Sequence, residues 1–160
     1  MCLGNICRSP IAEAVLRDRV IDAGLDGDVV VDSAGTGDWH LGHGADPRSL
    51  ATLAAAGYDF SGHRARQITR EWFTDLDLIL AMDSANYVDL QAMAKLAGVT
   101  PDLHMLRSFD PSLSGITAPD PGLDVPDPYY GGDAGFTDVL DMIERSVDGL
   151  ITQLPARLGR

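Results

Sequence analysis

Cysteine is scarce in this chain, basic residues are outnumbered, and no apolar run is long enough to cross a bilayer. Only Cys2 and Cys7 occur among 160 residues, too few for a disulfide framework or a four-ligand zinc site. They read instead as thiols with a chemical task. Twelve Lys and Arg stand against 24 Asp and Glu, a formal net charge of −12, and the basic residues are scattered. That balance repels nucleic-acid phosphates and anionic membrane surfaces, which excludes both as expected partners. No stretch approaches ~18 to 20 consecutive apolar residues, and the start lacks the charged, apolar, small-residue order of a signal peptide. The expected compartment is the cytoplasm. His40, His43 and His104 lack metal-ligand spacing, so no metal is expected. No repeat or low-complexity tract divides the chain, and 45% hydrophobic content can fill one core, so a single domain over residues 1–160 is expected.

What is present is an alternation of short apolar runs with helical patterns. Val29, Val30 and Val31 read as a buried strand, Leu76 to Met82 as a second, and Leu103 to Leu106 as a weaker third. Ser9 before Pro10 reads as an N-cap with proline at the first helical position. Ile11, Ala12, Val15, Leu16 and Val20 then form one apolar face, and Gly24 ends the helix. Asp46 and Pro47 repeat that start for a helix running to about Ala56 and stopping at Gly57. Asp83 or Ser84 caps a third helix, with Val88, Met93 and Leu96 among its apolar positions. In the last helix Phe136, Val139, Leu140, Ile143, Val147, Leu150, Ile151 and Leu154 keep spacings of three and four, while Asp138, Asp141, Glu144 and Asp148 face water. Strands alternating with helices imply an α/β fold with a parallel sheet covered on both faces. Asp110 to Tyr130, with prolines at 111, 119, 121, 126 and 128, reads as a long surface loop of functional importance.

The chemistry is concentrated in MCLGNICRSP at the start. A cysteine followed six residues later by arginine, then by a helix start, places residues Leu3, Gly4, Asn5, Ile6, Cys7, Arg8 and Ser9 over a helix N-terminus. Its unsatisfied amides and partial positive charge can cradle a phosphate dianion without a metal. Gly4 is expected to supply the sharp bend, and Asn5 to tolerate a left-handed backbone and tie the loop internally. Arg8 offers a two-pronged donor to phosphate oxygens. The same surroundings favour a thiolate, which makes Cys2 the candidate nucleophile, with Ser9 donating to its sulfur. Because the net charge repels a phosphorylated substrate at long range, these local donors must win at contact distance.

The full string CxGNxCRSP resembles the active-site signature of the low-molecular-weight protein tyrosine phosphatases. The resemblance extends through VDSAGT at Val31 to Thr36, Met82 and Asp83, and Asp127, Pro128, Tyr129 and Tyr130, so it spans essentially the whole chain. It implies metal-independent, cofactor-free hydrolysis of phosphotyrosine in proteins through a phosphocysteine, inhibited by inorganic phosphate or vanadate. Cys2 and Arg8 would act with Asp127, the last as general acid and then base. An aspartate before proline can also merely start a turn. Ser33 and His63 would hold Asn5, and Trp39, Tyr129 and Tyr130 would wall the substrate cleft. The implied fold is a doubly wound four-stranded parallel sheet of order 2-1-3-4, with the phosphate loop at the carboxyl end of its first strand. A second thiol in the loop, Cys7, is expected to trap an oxidised Cys2 as a reversible disulfide.

Three other readings compete. Arsenate reductases begin with a similar loop but need further cysteines downstream, and none follows Cys7. Protein-arginine phosphatases typically carry threonine where Ile6 stands. A non-catalytic phosphate-binding module would not need Cys2, Arg8 and Asp127 together. Family members also carry a mostly apolar stretch before the nucleophile that forms the first strand. Here that strand is expected to be truncated, with a GTG valine codon read as the initiator Met1, leaving two unpaired inner sheet edges and an apolar groove.

Overall fold

A computed structural model describes residues 1–160. Helix α1 spans Arg8–Asp22, α2 Pro47–Ala55, α3 Trp72–Asp75, α4 Ser84–Ala97 and α5 Asp133–Arg157, with strands β1 Ile79–Ala81 and β2 Leu103–Met105. β1 and β2 pair in parallel, Ile79 opposite Leu103 and Ala81 opposite Met105. Side chains along β1 alternate. Ile79 and Ala81 pack with Leu90 and Ala94 of α4, whereas Leu78 and Leu80 lie against Leu150 and Ile151 of α5. Helices therefore cover both faces, as the alternation of strands and helices requires.

The regular sheet is smaller than expected, with two strands in place of four. Residues 76–78, Met82 and Leu106 fall outside the ladder. Beyond β1 the extension continues only through single bridges, Cys2 to Gly35 and Gly35 to Gln67. Met1 lies beside β1, its amine donating to Leu80 O at 2.8 Å while Met82 N donates to Met1 O at 3.0 Å. Val29 to Val31 is not a strand, and Val30 is 89% exposed. Three β-branched residues favour extended chain, but a ladder needs a neighbour along its length. Between this segment and Leu78 and Leu80 lies a groove of about 890 Å³, lined also by Leu16, Leu150 and Leu154.

The helix signals are mostly obeyed, with two corrections. Asp46 caps α2 by accepting from Arg48 N at 2.8 Å, and Pro47 occupies the first position. Gly24, Gly57 and Gly98 each take the left-handed conformation just past a helix. The long apolar face of α5 is buried from Phe136 to Leu154, with Ile151 only partly covered. In α4, however, Val88 and Leu96 are exposed, and Asn86, Leu90 and Ala94 are buried instead. Nearly every turn of that helix offers an apolar residue, so periodicity alone does not choose the face. In α1, Cys7 occupies the cap position and Ser9 lies inside the helix, its hydroxyl turned to Cys2 and Asn5. Asp110 to Tyr130 is not wholly a surface loop. Leu123 and Val125 are fully buried, and Val125 N donates to Met82 O at 2.8 Å.

Candidate active site

The segment from Cys2 to Ser9 wraps over the start of α1 with its carbonyls turned outward. Thr36 N donates to Cys2 O at 2.9 Å, Gly37 N to Leu3 O at 2.9 Å, and Asp46 N to Ile6 O at 2.8 Å. His63 meets Asn5 O at 2.7 Å, and Ser49 Oγ donates to Cys7 O at 3.3 Å. A carbonyl accepts only, so His63 bonds through Nε2–H. In a trans peptide each carbonyl points opposite to the following amide. Anchoring the carbonyls outward therefore turns the amides inward, and none of the amides from Leu3 to Arg8 donates to a protein acceptor. A row of free amides at a helix N-terminus can cradle an anion.

Asn5, with φ of 56°, is the one non-glycine residue at positive φ, so the left-handed turn falls on it and not on Gly4. Gly4 instead leaves room for His40, since a Cβ there would lie 2.8 Å from that ring and displace it. Asn5 Nδ2 donates to Ser9 Oγ at 2.8 Å and to Ser33 Oγ at 2.9 Å, and Asn5 Oδ1 accepts from Arg66 N at 3.0 Å. Ser33 and His63 thus both hold Asn5. Cys2, buried, has Sγ 3.0 Å from Ser9 Oγ. The other thiol has different surroundings, for burial pushes Cys7 up to about 12, with Asp46 adding to the effect.

Arg8 is 3% exposed, and its Nη1 donates to Asp83 Oδ2 at 2.5 Å and to Val125 O at 2.9 Å. Its Nη2 lies 3.6 Å from Asp127 Oδ2. Burial opposes the charge on Arg8, but the Cys2 sulfur, Asp83 and Asp127 outweigh it and hold the guanidinium more firmly protonated than usual. Asp127 lies on the rim, its side chain 42% exposed and its Oδ1 accepting from Tyr129 N at 3.0 Å. Cys2, Arg8 and Asp127 are therefore linked through Arg8.

The rim is only partly as expected. Tyr129 and Tyr130 meet edge to face at 4.9 Å, and Tyr130 is 93% exposed. Trp39 is 68% exposed and its ring lies over Gly37. His40, which the sequence left without a role, stands between Gly4 and Tyr129, its ring centroid 6.0 Å from that of Tyr129. Four other residues had no expected place in the site, although Asp83 was expected as a helix cap and Gly35 lies in the VDSAGT motif. Asp83 caps α4 with one oxygen, accepting from Asn86 N at 2.7 Å, and holds Arg8 with the other. Gly35 lets the loop close, since a Cβ there would fall 2.5 Å from Leu3 O. Arg66 orients Asn5 through its amide. Glu13 is a buried carboxylate on α1 that accepts from Ser33 Oγ at 2.5 Å. A lone acid on the apolar face of that helix, four residues after Ser9, was the available signal.

Comparison with known proteins bears on the family of the chain. A family model described as low molecular weight phosphotyrosine protein phosphatase matches residues 1–159. A low molecular weight protein-tyrosine-phosphatase of Streptomyces coelicolor is 50% identical over 151 residues, covering 94% of this chain and 88% of the relative. The crystal structure of YfkJ from Bacillus subtilis superposes with a TM-score of 0.84 at 35% identity, covering 98% of this chain and 92% of that one. A Drosophila arginine phosphatase superposes with the same TM-score at 31% identity, over 96% of this chain and 94% of that one.

Proposed function

The chain belongs to the low-molecular-weight phosphotyrosine protein phosphatase family, and on that premise we propose a specific course for its reaction, run by one domain over residues 1–160. Cys2 thiolate attacks phosphorus of a protein phosphotyrosine held by the loop amides and Arg8. The bond from phosphorus to the tyrosyl oxygen breaks as Asp127, entering as the acid, gives that oxygen its proton. A phosphocysteine results. Asp127 then takes a proton from water, whose oxygen attacks phosphorus, and inorganic phosphate leaves as Cys2 returns to thiolate. The amides and Arg8 neutralise charge on the equatorial oxygens in both steps, so no metal is required. Tyr129, Tyr130 and Trp39 receive the aryl ring at the rim.

The observation that carries this reading is the row of free amides from Leu3 to Arg8 beside the buried Cys2 sulfur. The four-stranded order 2-1-3-4 belongs to the same proposal, supported by the bridges through Cys2, Gly35 and the Met1 bonds to Leu80 and Met82. The test is turnover of a phosphotyrosine peptide in chelator, its inhibition by vanadate, and capture of a phosphorylated Cys2 by acid quench and mass spectrometry. Metal-dependent turnover, or phosphate on any other residue, would sink it. The Drosophila likeness favours a second reading, phosphoarginine hydrolysis, against which stands the bulk of Ile6. A phosphoarginine peptide in the same assay decides: it should turn over far more slowly than phosphotyrosine.

A further inference from the structure

Between the buried Val125 and the start of α5, little holds the segment that carries Asp127. From Pro126 to Gly131 its own hydrogen bonds are short-range, Tyr129 N to Asp127 Oδ1 and Gly131 N to Pro128 O, both at 3.0 Å. Arg8 Nη2, 3.6 Å from Asp127 Oδ2, is too far for a hydrogen bond. The hydrogen bonds that do reach this segment from elsewhere come from one side chain, Arg48 on α2. Its Nη2 donates to Tyr129 O at 3.0 Å and its Nη1 to Gly131 O at 3.2 Å. Another edge of the same guanidinium is fixed by Asp46, with Nε donating to Oδ1 at 3.0 Å and Nη2 to Oδ2 at 2.9 Å. Its central carbon stands 4.6 Å from the centre of the Phe136 ring, which α5 holds fully buried. A planar fork can grip a carboxylate and two carbonyls at once, and an ammonium cannot.

Resting on the phosphatase reading above, we propose that Arg48 is a positioning residue for the proton transfer, tethering the segment that bears Asp127 to the start of α2. By holding Tyr129 through its carbonyl, Arg48 keeps the Tyr129 amide on Asp127 Oδ1 and leaves Oδ2 turned toward Arg8. An acid must stand within hydrogen-bond reach of the oxygen it protonates. Arg48 therefore acts on the leaving group only through the place it gives Asp127.

Charge and tether predict different results for Arg48→Lys, which keeps the cation and loses the fork. An effect of charge alone would leave that variant like wild type. If Arg48 is a tether, kcat/KM for phenyl phosphate falls by about tenfold in Arg48→Lys and in Arg48→Met, the size of one hydrogen bond to a charged group. For an aryl phosphate with a strongly acidic leaving group, which needs no proton, kcat/KM changes little. Vanadate inhibits both variants as it does wild type, since the loop amides and Arg8 are untouched. Adding Arg48→Met to Asp127→Ala slows phenyl phosphate no further. Amide hydrogen exchange reads the tether without any phosphate ester: the Tyr129 and Gly131 amides exchange about tenfold faster in both variants, while those of α5 stay protected. Arg48→Lys reports even where Arg48→Met folds poorly. A wild-type-like Arg48→Lys, equal loss for both leaving groups, additivity with Asp127→Ala, or unchanged exchange at Tyr129 and Gly131 overturns the proposal. A wild-type protein without phosphatase activity would refute the function, and the exchange result would still decide whether Arg48 tethers the segment.

Discussion

Cys2 and Cys7 lie five positions apart and both are buried, but their surroundings differ. Cys2 faces Ser9 and Arg8, whereas burial, then Asp46, pushes Cys7 from 9.0 up to about 12. Folding keeps Cys7 protonated, and the associated stability is present below pH 9 and lost as pH rises toward the folded value. Brief iodoacetamide treatment near pH 8 should therefore add one group, mapping to Cys2. Two adducts would appear only in denaturant, and native labelling of Cys7 would contradict this. The same protonated state would slow any capture of an oxidised Cys2 by Cys7, because the thiolate is the attacking species. At Asp127, replacement by alanine should slow phenyl phosphate hydrolysis by roughly 10²- to 10⁴-fold. Aryl phosphates with strongly acidic leaving groups should be affected far less, and a uniform loss would assign Asp127 a structural role.

The N-terminus of α4 joins an element to the site through a single side chain. Asp83 caps the helix with Oδ1 and holds Arg8 with Oδ2. Asparagine can cap about as well as aspartate but cannot compensate a guanidinium. Asp83→Asn is thus expected to leave the melting temperature nearly unchanged while weakening vanadate inhibition about tenfold. Asp83→Ala should show the same loss of binding together with about 1 kcal/mol of destabilisation. Equal vanadate inhibition in wild type and Asp83→Asn would show that Arg8 needs no partner. The start of α2 was legible because Asp46 and Pro47 act on their immediate neighbours. The face of α4 was not, since burial of Leu90 and Ala94 depends on β1 and α3 packing over them.

For the molecule as a whole, several carboxylates join distant segments. The buried Asp110 resists ionisation by its burial, but bonds from Ser112 and Arg145 prevail and hold it below its ordinary 3.8. Asp102, likewise opposed by burial, is held low by Arg157 and His104, and Asp46 by Arg48. A lowered folded value means stability that is full above the ordinary carboxylate value and is lost as pH falls through the folded one. Denaturant midpoints should be flat down to about pH 5 and fall steeply below about pH 4. Asp110→Asn should flatten part of that fall, and an identical acid limb in the variant would remove Asp110 from this account.

What the sequence determined by itself was local. CLGNICRSP followed by an amphipathic helix specifies an anion cradle, because the loop backbone and the helix N-terminus act within a few residues. The cap at Asp46, the left-handed Asn5 and the buried stripe of α5 follow from the same short-range chemistry. Tertiary structure alone decided which carbonyls are anchored outward, since their partners at Gly37, Asp46, Ser49 and His63 lie far along the chain. It also paired Arg8 with Asp83 across 75 positions and aimed Glu13 at Ser33 across 20. It left Val29 to Val31 outside the sheet, although these residues favour extension. Propensity describes what a segment prefers, but a ladder, an ion pair or a buried acid exists only where a second segment arrives to complete it.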